Sequence, residues 1–107
     1  MNEELKALYV IVNAGFSSDV VEIARSLGST GATILNARGS AGKPQTILGI
    51  TIDSEKEIVL SVVKKDVGIK IMEAIKEKMG AGTPAHGLSF FVPVEMSTLI
   101  IHENVMQ

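Results

Sequence analysis

The chain has 107 residues, of which 46% are apolar and 4% aromatic, with a formal net charge of -2. That length suits a single domain, 1–107, with one modest core filled by aliphatic side chains. The charge gives no general attraction to nucleic acid, and the absence of cysteine excludes disulfides and thiolate metal sites. A reducing, cytoplasmic setting is expected. The opening "MNEELKAL" places acidic residues before any apolar run, unlike a signal peptide. No apolar stretch approaches the roughly 20 residues of a membrane span, so no membrane insertion is expected. A mean hydropathy of +0.31 is high for a short chain. It predicts apolar surface that an oligomer would bury.

Leu5–Gly15, "LKALYVIVNAG", reads as a strand, because Leu8 to Val12 form an unbroken apolar run. Such runs indicate burial on both sheet faces. The next segment predicts a helix capped by Ser17 or Ser18 and closed at Gly28. Val20, Val21, Ile23, Ala24 and Leu27 form its apolar stripe. Gly31–Ala37 is a second strand and Thr46–Ile52 a further extended segment. "DSEKE" reads as a turn and Glu57–Val63 as another strong strand. A second helix is predicted from Val67 to about Met79, capped by Asp66, with a stripe of Ile69, Met72, Ile75 and Met79. Gly87–Val94 is the last strand, which Pro93 ends or confines to an edge. The segment 95–107 is a tail with one short apolar run.

The order strand, helix, strand, strand, helix, strand predicts an α+β, ferredoxin-like split βαβ fold. Two helices then cover one face of a four-stranded antiparallel sheet. The strands are apolar on both faces, so another subunit must cover the second. A cyclic homo-oligomer is the economical solution.

Two loops are candidates for binding. In "NARGSAGKPQT", Arg38 and Lys43 supply charge, and Gly39 and Gly42 permit close backbone approach to an anion. In "GAGTPAHG", three glycines and a threonine offer backbone donors, although Gly80 also suits a helix C-cap. His86, in the same loop, is a candidate anion ligand. With two histidines and no cysteine, no dedicated metal site is expected. No serine has the strand–turn–helix setting of a hydrolase nucleophile, and no nucleophile–base pair is evident. Binding rather than catalysis is expected.

The order of elements, the loop beginning "GATILNARGSAGK" and above all "GAGTPAHGLSFFVPVE" resemble the PII signal-transduction proteins of nitrogen regulation. The likeness spans about Leu8 to Glu95, and "AHGLSFFVPVE" stands where that family reads roughly "GDGKIFVxPVE". The resemblance implies a cytoplasmic homotrimer of ferredoxin-like subunits. Clefts between its subunits would bind adenine nucleotides (AMP, ADP or ATP), and a T-loop would report to a membrane transporter or metabolic enzyme. It implies that Thr33 lies near the adenine and that the Val62 backbone reads the base edge. Gly39 and Ala41, preceded by Arg38, would stand at the T-loop base, with Lys43 where the family has glutamine. Gly82, Ala85 and Gly87 would cradle phosphates. Residues 38–55 then form a shortened T-loop. Leu88 replaces a phosphate-binding lysine, no arginine follows Val94, and the only tyrosine, Tyr9, lies in the first strand. Triphosphate binding should therefore be weaker than in the family, which leaves a nucleotide with fewer phosphates or another small anion equally consistent. The alternative is a trimeric ferredoxin-like scaffold or metal-tolerance protein without a nucleotide site.

Overall fold

The structure, a computed structural model, describes residues 4–39, 45–47, 50–52 and 54–99. Its elements in chain order are β1 (Leu5–Asn13), α1 (Ser17–Ser26), β2 (Thr33–Gly39), β3 (Gln45–Ile47), β4 (Ile50–Ile52), β5 (Ser54–Lys64), α2 (Lys65–Met79) and β6 (Leu88–Pro93). β2, β5, β1 and β6 form a four-stranded sheet in that spatial order, and every neighbouring pair is antiparallel. This is the expected α+β, ferredoxin-like arrangement, with β6 and its Pro93 at one edge. Among the described residues, no helix is long and apolar enough to cross a membrane.

The strand period decides which face is core. On β1, Leu8, Val10 and Val12 are buried beneath the helices, as are Val59 and Val63 of β5. Val20 and Ala24 of α1 and Ile71, Ile75 and Met79 of α2 complete that core, with Phe91 packed against it. The opposite face carries Ala7, Tyr9 and Ile11 beside Ile58, Leu60 and Val62 on one side and Leu88, Phe90 and Val92 on the other. The rings of Tyr9 and Phe90 stack there, 5.0 Å apart and 12° from parallel. No helix covers this face. Sequence runs that are apolar on both sides therefore yield one closed and one open face.

Several boundaries differ from expectation. Thr46–Ile52 is not one extended strand, because β3 and β4 pair with each other as a separate ribbon. "DSEKE" is not a turn from Ser54 onward. Those residues lengthen β5, and Ser54 to Lys56 pair with Gly39 to Ala37. Neither Ser17 nor Ser18 occupies the N-cap of α1, which is Phe16 without a side-chain cap bond. α2 begins at Lys65, so Asp66 lies in its first turn, where its Oδ1 accepts the Val67 N–H at 3.0 Å. β5 runs straight into this helix, and the Lys65 N–H donates to the Glu4 carbonyl at 2.9 Å instead of to a cap. The buried stripe of α2 is Gly68, Ile71, Ile75 and Met79. Ile69, expected in the stripe, is exposed, one position beyond the buried Gly68. Phe91 lies so close to Gly68 that a Cβ there would meet its Cδ2 at 3.1 Å.

The end of α1 follows expectation. Gly28 has φ +119°, its N–H donates to the Arg25 carbonyl, and the Ser29 N–H reaches the Ala24 carbonyl at 3.0 Å. This left-handed closure satisfies carbonyls that the helix would otherwise leave open.

Candidate functional site

At one end of the sheet, the last residues of β2 and β1 meet the first residues of β5, and the turn 80–87 folds over them. Register places Ala37, Lys56 and Asn13 side by side across three strands. The Lys56 stem crosses Gly39, where an added Cβ would meet its Cε at 3.0 Å. The Lys56 ammonium donates to Asn13 Oδ1 at 2.7 Å. Asn13 in turn donates from Nδ2 to the Pro84 carbonyl at 2.9 Å, and its backbone N–H reaches the Ala85 carbonyl at 2.9 Å. Lys56, Asn13 and the turn thus form one hydrogen-bonded unit. Sequence reading missed both side chains. The signal that could have found Lys56 is alternation: continued back from Glu57–Val63, the strand puts the lysine on the open face.

Arg38 pairs in register with Glu55. Strand alternation sets these two on the helix-bearing face, opposite to Lys56 and Gly39. Among the described residues, the cation on the open face at this end is therefore Lys56 rather than Arg38. Thr33 stands opposite Leu60 on the open face, and Val62 lies two residues further along β5, opposite Ala7. Six residues separate Lys56 from Val62, about 20 Å at the rise of a strand. The structure thus gathers Gly39 and Lys56 beside the turn and leaves Thr33 and Val62 at the far part of β2 and β5. Ala41 and Lys43 lie outside the described residues, as do 100–107 of the tail.

The turn is held largely by itself. The Thr83 N–H and hydroxyl both donate to the Gly80 carbonyl, at 3.0 and 2.8 Å. The His86 N–H reaches the Thr83 carbonyl at 3.0 Å and the Gly87 N–H the Met79 carbonyl at 2.7 Å. Glycine at 80 and 87 answers to packing, since a Cβ would lie 2.5 Å from the Lys76 carbonyl oxygen or 2.4 Å from that of Met79. Gly82 is different, with open space where a Cβ would be. Ala85 is buried and anchors the turn. His86 is exposed with φ +51°, a conformation uncommon for a residue with a side chain. Its Nδ1 lies 2.8 Å from the Ala81 carbonyl. A carbonyl can only accept, so Nδ1 carries the proton and Nε2 of the neutral ring is left as an acceptor. No group of three or more His, Cys, Asp or Glu that could hold a metal occurs among the described residues.

Beside this end, Glu57 performs the capping expected of the serines. Its Oε1 accepts the Gly15 and Ser17 N–H groups at 3.0 and 3.1 Å, at the positive end of α1. The Ser17 hydroxyl first, then these two N–H groups, hold the Glu57 carboxyl below its usual value. A depressed folded value stabilises the fold above the carboxylate's unfolded value, and that contribution is lost as pH falls through the folded one. Glu57→Ala should therefore melt earlier than the parent near pH 7, with the gap closing below about pH 4. Melting curves of both chains across that range test this, and a gap independent of pH would contradict it.

No protein-family model matches the chain, and no curated protein matches it by sequence. Solved structures do. A protein of Thermus thermophilus described as PII-like in signalling superposes with TM-score 0.67 at 18% identity, covering 86% of this chain and 88% of that one. GlnK of B. subtilis in complex with ATP gives 0.66 at 17%, covering 86% and 84%. CPII of Thiomonas intermedia, a nitrogen regulatory PII-like protein bound to ADP, AMP and bicarbonate, gives 0.64 at 18%, covering 91% and 97%. At such identities the likeness is one of fold, and it extends over most of both chains.

Proposed function

We propose that this chain, which has the ferredoxin-like fold of the PII-like proteins, is itself a PII-like regulatory protein and not an enzyme. As a cytoplasmic homotrimer it senses a small effector, an adenine nucleotide or other small anion, between subunits. It reports that effector to a partner protein through residues 38–55, read as a shortened T-loop. The observation that carries this reading is the meeting of Gly39, Lys56 and the turn 80–87 at the root of that segment, in a fold whose neighbours include complexes with ATP and with ADP, AMP and bicarbonate. The open apolar face supports the trimer, since three copies would bury it. Thr33 and Val62, remote from the turn within one chain, would then contribute to a cleft from a different copy.

One observation favours the second reading, a trimeric scaffold or metal-tolerance protein without a nucleotide site. The N–H groups of Thr83, His86 and Gly87 are engaged within the turn, and Leu88 places 59% exposed aliphatic surface beside it. A thermal-shift screen with AMP, ADP, ATP, bicarbonate and divalent cations separates the two readings, because a ligand of the folded state raises apparent stability. Binding of ADP should fall about tenfold or more in Lys43→Ala, the loss of one charge-assisted contact. Lys56→Met, which keeps the stem over Gly39, should cost about tenfold or more by itself. Calorimetry on trimeric samples provides the measurement. ADP affinity unchanged in both variants would reduce the loop base to a connection.

A further inference from the structure

The turn 80–87 has two polar side chains, those of Thr83 and His86. The Thr83 hydroxyl is spent on the Gly80 carbonyl at 2.8 Å, and the N–H groups of Thr83, His86 and Gly87 are engaged within the turn. The His86 ring is the exception. A φ of +51° presents it to solvent, with its Nδ1–H fixed on the Ala81 carbonyl at 2.8 Å. Nε2 is then the ring nitrogen left to meet a ligand, and in the neutral ring it only accepts. A phosphate oxygen is also an acceptor, so the two cannot bond. Reversing the tautomer would set a lone pair against the Ala81 carbonyl. Only the imidazolium can donate to Ala81 and to an anion together.

Charged groups border the turn on several sides. Asp19, Glu22 and Lys78 line the hollow it shares with α1, and Glu73 and Lys76 line the groove it shares with α2 and β6. Lys56 reaches it through Asn13. The formal charges of these groups cancel. Glu57, also at this end, is occupied by Gly15 and Ser17, and Glu55 stands opposite Arg38 on the helix-bearing face. Protonation of His86 therefore tips the turn positive, at the same end as the Lys56 ammonium. We infer that His86 binds a phosphate of the nucleotide as the imidazolium, so that the ligand brings a proton with it and is held more tightly as pH falls. This rests on the nucleotide form of the sensor reading, and it adds a ligand side chain and a second regulating species, the proton.

Calorimetry of ADP binding, without divalent cations, tests this. Histidine ordinarily titrates near about pH 6.5, and the second ionisation of a phosphate ester lies near about pH 6. At about pH 7.5 a proton taken up on binding therefore belongs to the protein rather than to ADP. Measured there in two buffers of different ionisation enthalpy, more than about half a proton should be taken up per ADP. Affinity should fall about threefold or more from about pH 7 to about pH 8. His86→Asn, a residue that tolerates positive φ, should lose both effects. His86→Gly, which takes that conformation at least cost, gives the same readout should the asparagine chain fold poorly. Adenosine, which lacks phosphate, should bring no proton uptake. Equal uptake and pH dependence in the parent and His86→Asn, or uptake with adenosine, would overturn the proposal while leaving the nucleotide site standing. A parent chain that binds ADP nowhere between about pH 6 and pH 8 would remove the nucleotide reading and this inference with it.

Discussion

Phe90→Glu is expected to convert the proposed trimer to a single 11.4 kDa chain in sedimentation equilibrium. Phe90 lies on the open face, 40% exposed in the isolated subunit, so a carboxylate there is solvated in the monomer. In the proposed trimer the same carboxylate would be desolvated without a partner, at a cost of several kcal/mol. About 4 kcal/mol corresponds to roughly a thousandfold in association. The subunit itself should remain folded, because Phe90 is outside the core under the helices. It forfeits the stacking on Tyr9, worth about 1 kcal/mol. A variant that keeps the parent's mass would show that this face is not the interface.

Gly87→Ala should destabilise the subunit by about 1–3 kcal/mol, the usual cost of forcing an atom into occupied space. Its Cβ would lie 2.4 Å from the Met79 carbonyl oxygen and 3.4 Å from Val12 Cγ1. The turn cannot easily retreat, since the Gly87 N–H is bonded to that same carbonyl and Asn13 holds Pro84 and Ala85. For a chain of this size each kcal/mol lowers Tm by roughly 4–8 °C. Gly82→Ala is the internal control, with open space at its Cβ and an expected change within about 0.5 kcal/mol. Equal melting temperatures for the two variants would mean that the close approach at residue 87 relaxes freely.

The contrast between Gly82 and Gly87 bears on how much of the candidate site was legible. Composition marked the whole of "GAGTPAHG" as a loop able to approach a ligand. It could not separate a glycine required by a carbonyl of the preceding helix from one facing open space. Lys56 was missed for a related reason. "DSEKE" carries charges typical of a turn, and its membership of β5 depends on pairing with β2, which no local pattern encodes. Arg38 was expected in the loop after a strand ending at Ala37, whereas it lies within β2, and its face follows from the ladder register opposite Glu55.

Sequence alone determined the alternation of strands and helices, the two-helix cover and the open apolar face. Each rests on a repeating pattern, the apolar runs of β1 and β5 and the helical stripe of α1, which bury surface in proportion to their length. The glycine closure of α1 was equally local, since only a residue without a side chain takes φ +119° at little cost. Tertiary structure alone decided the starts of both helices. There Glu57, 40 positions beyond Ser17, and the Glu4 carbonyl supply acceptors that a local cap was expected to provide. It also decided the true stripe of α2, because Gly68 has no hydropathy signal and is selected only by the approach of Phe91. The physical reason is common to all of these. Periodic burial is written along the chain, whereas a single hydrogen bond or close contact depends on which distant residue the sheet register brings beside it.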